Sequence, residues 1–345
     1  VTYKVALLGC GRIAPRHAHV LSEIEGLDLC AVCDVIPEKA LNLASAYSVK
    51  NYTDMERMMK ELKPNIVAVC TPSGMHAQHV CTLAQFGADI VVEKPLALTL
   101  DDVDGAVQCC AVAGVRLCTV KQNRYNVAVQ AAKRAVDDGH IGKINFCSVR
   151  VWWDRYPDYY KDWHGTWKDA GGVLANQSDH HVDLMQWFCG PVESVYARAI
   201  YSDYAEVETG LVATVQFESG ALGTLECTTL ARPVSIEGSI SILGDKGTIV
   251  VGGFACNEIR TWVIDGMTDS SIVGTGENPP DVYGYGHRKF YEDILAHLDA
   301  GRNWPVHWFE GRSSLEIILA MYESMETGNP VELNDRYRHS RLGKC

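Results

Sequence analysis

Nowhere in the 345 residues does an apolar run approach the roughly 18 that a membrane-crossing helix needs, so no such helix is expected. Recurring CxxC pairs, internal repeats and low-complexity segments are also missing. Without that spacing the thirteen cysteines match neither a zinc site nor a disulfide framework. Several lie inside apolar runs such as IVAVC, ending at Cys70, and buried reduced thiols in a reducing compartment are expected. Positive charge is scarce: 31 Lys and Arg against 43 Asp and Glu leave a formal net charge of −12. That balance disfavours a nucleic-acid partner, because phosphate binding needs clustered cations. The one basic cluster, Arg336, Arg338, Arg341 and Lys344, reads as a solvated tail over 336–345. At the N-terminus, Tyr3-Lys-Val-Ala-Leu-Leu-Gly9 runs straight into a glycine turn, unlike a signal peptide. A soluble, cytoplasmic protein is the expectation.

What is present is ordinary globular composition, 47% hydrophobic and 21% charged, which predicts folding throughout; the length suggests two domains. The apolar run Val5-Ala-Leu-Leu8 ends in Gly9-Cys-Gly-Arg-Ile-Ala14 and is followed by helical spacing over 15–25, giving strand, glycine turn, helix. A second strand over 27–33 ends on Asp34, 20 residues past Ala14. Each position has a physical task. Gly9 permits the tight turn, Gly11 lets backbone approach a pyrophosphate, and Ala14 lets the helix sit close to the strand. Asp34 would accept hydrogen bonds from both ribose hydroxyls and repel a 2′-phosphate, which favours NAD over NADP. Alternating helices and strands continue to residue 120, implying a doubly wound parallel sheet with ligands at the carboxyl ends of its strands. Two loops at such ends, Thr71-Pro-Ser-Gly-Met-His76 and Glu93-Lys-Pro95, should face cofactor or substrate. Lys94, at a strand end beside the expected nicotinamide, is read as functional rather than as a solvated loop residue.

After Lys121-Gln-Asn-Arg-Tyr-Asn126 the pattern changes to a helix over 127–137 and long alternating strands from 144 to 264, with helices returning over 286–300 and 311–327. This is an open, mostly antiparallel sheet domain with helices on one face, whose other face suits self-association. One probable helix, led by Gly171-Gly172, carries Asn176, His180, Asp183 and Trp187 in a single stripe at about 100° per residue. His181 points about 100° away and shares its side with Met185, so it is expected to pack. Adjacent helical histidines cannot both face one ion, HExxH is missing, and no metal is expected. An inward histidine with an aspartate three residues later suits proton transfer near neutral pH.

The glycine turn, Glu93-Lys-Pro95, the helix bearing His180 and Asp183, and the closing Glu310-Gly-Arg-Ser-Ser-Leu-Glu316 together resemble the Gfo/Idh/MocA family of sugar oxidoreductases, along nearly the whole chain. The resemblance implies an α/β plus α+β architecture: a Rossmann NAD-binding domain over 1–122, then a substrate-binding and oligomerisation domain over 123–335. It also implies hydride transfer between a ring hydroxyl of a sugar or cyclitol and C4 of a nicotinamide. Lys94 and His180, supported by Asp183, would lie at the reacting centre. Gly9, Gly11, Arg12, Ile13, Asp34, Thr71, Pro72, His76, Glu93, Lys94 and Gln122 would contact NAD.

Within the family, the segment 121–126, the segment Tyr159-Tyr-Lys-Asp-Trp-His-Gly-Thr-Trp167, Asn176-Gln177 and Gly284-Tyr-Gly-His287 are most similar to UDP-N-acetylglucosaminuronic acid 3-dehydrogenases. Those enzymes serve bacterial surface-polysaccharide synthesis. This implies a nucleotide-sugar substrate, contacted by Asn123, Arg124, Tyr125, Tyr159, Trp163, His164, Thr166, Asn176 and His180, and a homo-oligomer, dimer or tetramer. Arg124 would pair with a carboxylate or phosphate.

Two departures stand out. Many members carry aspartate where Asn176 stands, and an amide cannot relay a proton. Ser178-Asp179 stands where glycine and an apolar residue are common, and an added acid near an anionic substrate needs a base such as Arg124. The competing readings are another chemistry of the family, such as inositol or hexose dehydrogenation or 3-ketosugar reduction, and a non-catalytic NAD-binding regulator. A hydrolase using a metal on His180 and His181 fails on helix geometry.

Overall fold

Strand β1 (Tyr3–Leu8) forms from the apolar run read above and buries Val5 to Leu8 without alternation, as a strand covered on both faces must. The computed structural model describes residues 1–267, 271–304, 306–333 and 340–344; Arg336 and Arg338 lie outside the described residues. The chain divides into two compact units, residues 1–120 with 287–312, and residues 121–286 with 313–345.

In the first unit, helix α1 (Ala14–Glu23) leads to β2 (Leu27–Cys33), α2 (Pro37–Tyr47), β3 (Lys50–Tyr52), α3 (Met55–Leu62) and β4 (Ile66–Val69). Then come α4 (His76–Ala84), β5 (Asp89–Val92), α5 (Leu100–Ala113) and β6 (Leu117–Thr119). All six strands are parallel, in the order β3-β2-β1-β4-β5-β6. The order reverses between β1 and β4, and the crevice at that reversal is where such sheets bind ligands. The sequence reading did not assign α2 and β3.

One cysteine expectation is corrected. Cys81 on α4 and Cys109 on α5 form a disulfide, their Cα atoms 5.2 Å apart. The two helices lie side by side, so cysteines with no short-range spacing meet across them. Ten other described cysteines are free, most of them buried.

The second unit holds α6 (Val127–Asp137), β7 (Ile144–Trp152), α7 (Asp179–Cys189), β8 (Val192–Tyr201), β9 (Glu208–Phe217) and β10 (Leu222–Thr228). It continues with β11 (Glu237–Gly244), β12 (Gly247–Gly252) and β13 (Glu258–Ile264). Helix α8 (Gly286–Asp299) belongs, from His287 on, to the first unit, and α9 (Trp308–Thr327) passes at Ser313 into the second unit, which then closes with β14 (Val331–Glu332). The eight strands run β13-β12-β11-β7-β10-β9-β8-β14, antiparallel except for the parallel pair β7 and β10. Along β9, Leu211, Ala213, Val215 and Phe217 are buried while Val212, Thr214 and Gln216 are exposed, so one face is covered and the other open. Helix α7 lies on β7 and β11.

The expected single helix from Gly171 is also corrected. Val173–Gln177 is a π-helical turn, Ser178 follows at φ −96°, ψ −4°, and α7 starts at Asp179. A π turn takes more residues per revolution than an α turn, so the stripe linking Asn176 to His180 is broken. The lead glycines are required by packing. A Cβ at Gly172 would lie 2.2 Å from both the backbone oxygen and a carboxylate oxygen of Glu208. Arg341 is exposed, as the solvated-tail reading expects, while lying over Trp167 at 4.6 Å and bonding Glu326.

Candidate functional site

Gly9, just past β1, sits at φ +94°, and a Cβ there would lie 2.6 Å from the Cys70 carbonyl oxygen. Only glycine lets the ends of β1 and β4 converge so closely. At Gly11 the space a Cβ would fill is open to 4 Å. Helix α1 then starts with Ile13 at its N-cap, no side-chain cap and no acid in its first turn, so its positive dipole end faces the glycine turn with no carboxylate competing against an anion. Arg12 is exposed on this turn. Asp34 accepts the Cys10 N–H at Oδ2 and the Ile36 N–H at Oδ1, each at 2.8 Å. Its carboxylate thus braces the glycine turn at the position where a ribose would bind. The open cradle, the uncapped helix and the acid fit the pyrophosphate and ribose of NAD.

The Glu93-Lys94-Pro95 loop is tied down from within the same unit. Glu93 Oε1 lies 2.8 Å from His17 Nε2, and His17 Nδ1 lies 2.7 Å from the Tyr291 hydroxyl. Glu93 Oε2 accepts the Lys94 N–H at 3.1 Å. His287 Nε2 is 3.8 Å from Glu93 Oε1. Burial opposes charge on both partners of the His17–Glu93 pair. The polar neighbours Cys70, Tyr291 and Glu93 nevertheless hold His17 well above its ordinary pKa. His17 and His287 hold Glu93 well below its own. Sequence reasoning missed His17, Tyr291 and His287 as supports, although His287 ends the quoted Gly284-Tyr-Gly-His287 motif. His76 links the two loops, its Nδ1 2.7 Å from the Pro95 carbonyl and its Nε2 2.8 Å from that of Thr71. The Thr71 hydroxyl meets His79 Nδ1 at 2.9 Å, and Pro72 caps the short helical turn Ser73–Met75.

In the second unit, three side-chain pairs join the segment Gln122–Tyr125 and its preceding Lys121 to α7. Lys121 Nζ donates to Asp179 Oδ1 at 2.5 Å, with both side chains essentially without exposure (0% and 1%). Gln122 Nε2 lies 3.0 Å from His180 Nε2. Arg124 donates from Nε and Nη2 to the two oxygens of Asp183, each at 2.7 Å. The Ser314 hydroxyl reaches Asp183 Oδ1 at 3.3 Å, and Lys121 Nζ lies 3.9 Å from the same atom.

These contacts redirect three expectations. The Asp183 carboxylate holds a guanidinium instead of the His180 imidazole, which instead meets Gln122, a residue read as a cofactor contact. Arg124, read as a partner for a substrate anion, is engaged bidentately by Asp183. Asp179 takes Lys121 as its base, not Arg124. His181 is fully buried against Trp153, ring centroids 5.7 Å apart, and burial lowers its pKa to about 4, in keeping with its packing role.

Other residues read as substrate contacts line the irregular segment after β7. The Tyr159 hydroxyl accepts from Gln177 Nε2 at 2.9 Å, and its ring tilts against His164 at 4.5 Å. Trp163 stacks on His164 at 3.8 Å, and His164 Nδ1 bonds Asp162. The Thr166 hydroxyl donates to the Trp163 carbonyl at 3.0 Å, stabilising the local turn. Asn123 is buried with no hydrogen-bond partner for Oδ1 among the described residues. Tyr125 and Asn176 are half-buried. Arg155, not singled out in the sequence, lies with its guanidinium 5.6 Å over Trp153 and 5.3 Å over Tyr159. The alternation of aromatic and charged residues from Trp152 to Tyr160 was the available signal.

Comparison with known proteins agrees with this architecture. Residues 3–122 match the NAD-binding Rossmann fold of the Gfo/Idh/MocA oxidoreductase family, and residues 133–333 match its C-terminal alpha/beta domain. The chain belongs to that family and is an NAD-dependent oxidoreductase. Among solved structures it is similar to the WlbA dehydrogenase of Bordetella pertussis, crystallised with NADH and UDP-GlcNAcA. The TM-score is 0.89 at 34% identity, covering 97% of this chain and 99% of that one. The WlbA dehydrogenase of Chromobacterium violaceum, in complex with the same two ligands, matches with TM-score 0.89, 34% identity and 97% coverage of each chain. Among curated relatives, scyllo-inositol 2-dehydrogenase (NAD(+)) of Bacillus subtilis is 24% identical over 96% of both chains. No helix among the described residues is long and apolar enough to cross a membrane.

Proposed function

We propose that this protein oxidises the C3 hydroxyl of a UDP-linked N-acetylglucosaminuronic acid to the 3-keto sugar. The observation that carries the reading is the likeness, at 34% identity over 97% of the chain, to two dehydrogenases crystallised with NADH and UDP-GlcNAcA. Bound NAD supplies the hydride acceptor at C4 of its nicotinamide.

His180 takes the hydroxyl proton as general base. A neutral imidazole suits that task at pH 7; the Gln122 side chain lies against Nε2 and orients the ring, and the sugar hydroxyl takes the place of Gln122 at Nε2 when the proton is transferred. The Lys94 ammonium stabilises the developing alkoxide. Its backbone is fixed by Glu93, which His17 holds in turn. Asn176 hydrogen-bonds the sugar and moves no proton. With Arg124 engaged by Asp183, Arg155 binds the anionic carboxylate or diphosphate, on a platform of Trp153 and Tyr159. The open face of the eight-stranded sheet supports a homo-oligomer, dimer or tetramer. The reaction fits lipopolysaccharide-sugar synthesis in a bacterial cytoplasm.

The test is a panel of UDP-sugars, free inositols and hexoses, and 3-keto nucleotide sugars, scored by NADH absorbance with wild type and His180→Asn. Reduction of NAD with UDP-N-acetylglucosaminuronate, slowed about 100-fold or more in the variant, is expected. Turnover of an inositol alone would transfer the chain to the inositol-dehydrogenase reading, and His180→Asn with near-normal turnover would remove His180 from its role. A purely regulatory protein would reduce no NAD with any member of the panel.

A further inference from the structure

We propose that Lys121 and Asp179 are positioning residues for His180, their buried ion pair being one of two charged rungs that hold the Gln122–His180 rung between them. This rests on the reading of His180 as the base. The paired residues are separated by 58, 58 and 59 positions, so the segment starting at Lys121 and the first turn of α7 run side by side in step. A shift at one rung is therefore passed to the next.

The outer rungs have little freedom to move. Lys121 Nζ lies between Asp179 Oδ1 at 2.5 Å, Ser314 Oγ at 3.1 Å and Asp183 Oδ1 at 3.9 Å. Asp179 Oδ2 has no hydrogen-bond partner among the described residues, so besides its place in the first turn of α7 the acid is compensated by Lys121. A buried ion stripped of its partner keeps the cost of desolvation and recovers none of it, so the chain rearranges to find a counter-charge. For Lys121 the nearest substitute is Asp183, the carboxylate that holds Arg124. Loss of Asp179 thus disturbs both outer rungs. The unusual acid at 179 is the counter-ion that a buried lysine at 121 requires.

The experiment compares Lys121→Met, Asp179→Asn and the double variant, together with Lys121→Arg and Asp179→Glu, which keep the charges should the neutral variants fold poorly. Two readouts are taken on folded protein: kcat and KM for NAD, and the NMR titration of the His180 imidazole, assigned by its loss in His180→Asn. Among the described residues of this unit, Asp179, His181 and Asp183 on the same helix and Lys121 and Arg124 on the facing segment are the charged and titratable groups next to His180 along the two sides of the ladder. Removing the cation favours the imidazolium, so Lys121→Met should move the titration up by about one pH unit. Asp179→Asn should move it down by a similar amount, and the double variant should return close to wild type. Each neutral single variant should lose about tenfold or more in kcat at unchanged KM for NAD, with the double variant no worse than the worse single one. The charge-conserving variants should keep the wild-type titration while losing kcat through altered rung spacing. An unmoved titration with unchanged kcat, the only effect being lower thermal stability, would overturn the proposal, as would losses that multiply in the double variant. The titration needs no substrate, so it judges the clamp even if turnover by His180→Asn shows that another group is the base.

Discussion

Asp183 and Arg124 meet through two hydrogen bonds of 2.7 Å each, with the guanidinium also lying over Trp187 at 5.0 Å. Both side chains are largely buried, at 3% and 11% exposure. Asp183→Asn would leave Arg124 and Lys121 sharing one fewer acid, and a destabilisation of about 3 kcal/mol is expected by chemical denaturation. Arg124→Lys should not substitute, because an ammonium lacks the planar fork. Wild-type stability in Asp183→Asn would contradict this account of the pair.

Asp34 braces the glycine turn through Cys10, and under the proposed function it takes the ribose hydroxyls of NAD as well. Asp34→Ala should therefore weaken NAD binding by roughly 10- to 100-fold in calorimetric titration, the loss of one or two hydrogen bonds to a charged acceptor. NADP affinity should fall less or improve, since the repelling charge is gone. Equal losses for both dinucleotides would remove Asp34 from cofactor selection.

The His17–Glu93 pair makes stability depend on pH in a definite sense. Glu93 is held below the ordinary 4.5, so its contribution is present above that pH and lost as pH falls through the depressed folded value. His17 is held above the ordinary 6.5, so its contribution is fully present below that pH and lost as pH rises through the raised folded value. The pair thus contributes most between about pH 4.5 and 6.5. Denaturation of wild type and His17→Asn from pH 5 to 9 should show the stability advantage of wild type shrinking at the alkaline end. A constant difference would refute the assignment.

The Cys81–Cys109 cross-link closes a separation of 28 residues between α4 and α5. Chain-entropy reasoning assigns such a loop about 3.5 kcal/mol. Denaturation with and without reductant should show a loss of that order in wild type and none in Cys81→Ser/Cys109→Ser. Peptide mass analysis without reductant should find the two cysteines joined; finding both alkylated would contradict the bond.

How much of this was legible in the sequence follows from the range of each constraint. Gly9, Ala14 and Asp34 could be read because strand, glycine turn, helix and second strand follow one another directly in the chain, although the neighbour that excludes a Cβ at Gly9 is the distant Cys70. The strands were legible for the same reason: alternation such as that along β9 repeats within ten residues. The His180 surroundings were only half legible. Helical periodicity put Asp183 and His180 on one face, but nothing local indicates that Arg124, 59 residues away, takes the carboxylate. The π turn at Val173–Gln177 was hidden because its cause is distant too: Glu208 on β9 fills the space beside Gly172 and accepts the Leu174 N–H at 2.9 Å. The same holds for Cys81 and Cys109, which meet only because two helices pack.

The central claim, oxidation at C3 with His180 as base, is tested most directly with UDP-N-acetylglucosaminuronate carrying deuterium at C3. The account predicts that the deuterium appears on the nicotinamide of the NADH formed, and that His180→Asn lowers the rate by about 100-fold or more. NADH formed without the label, or full activity in the variant, would contradict it.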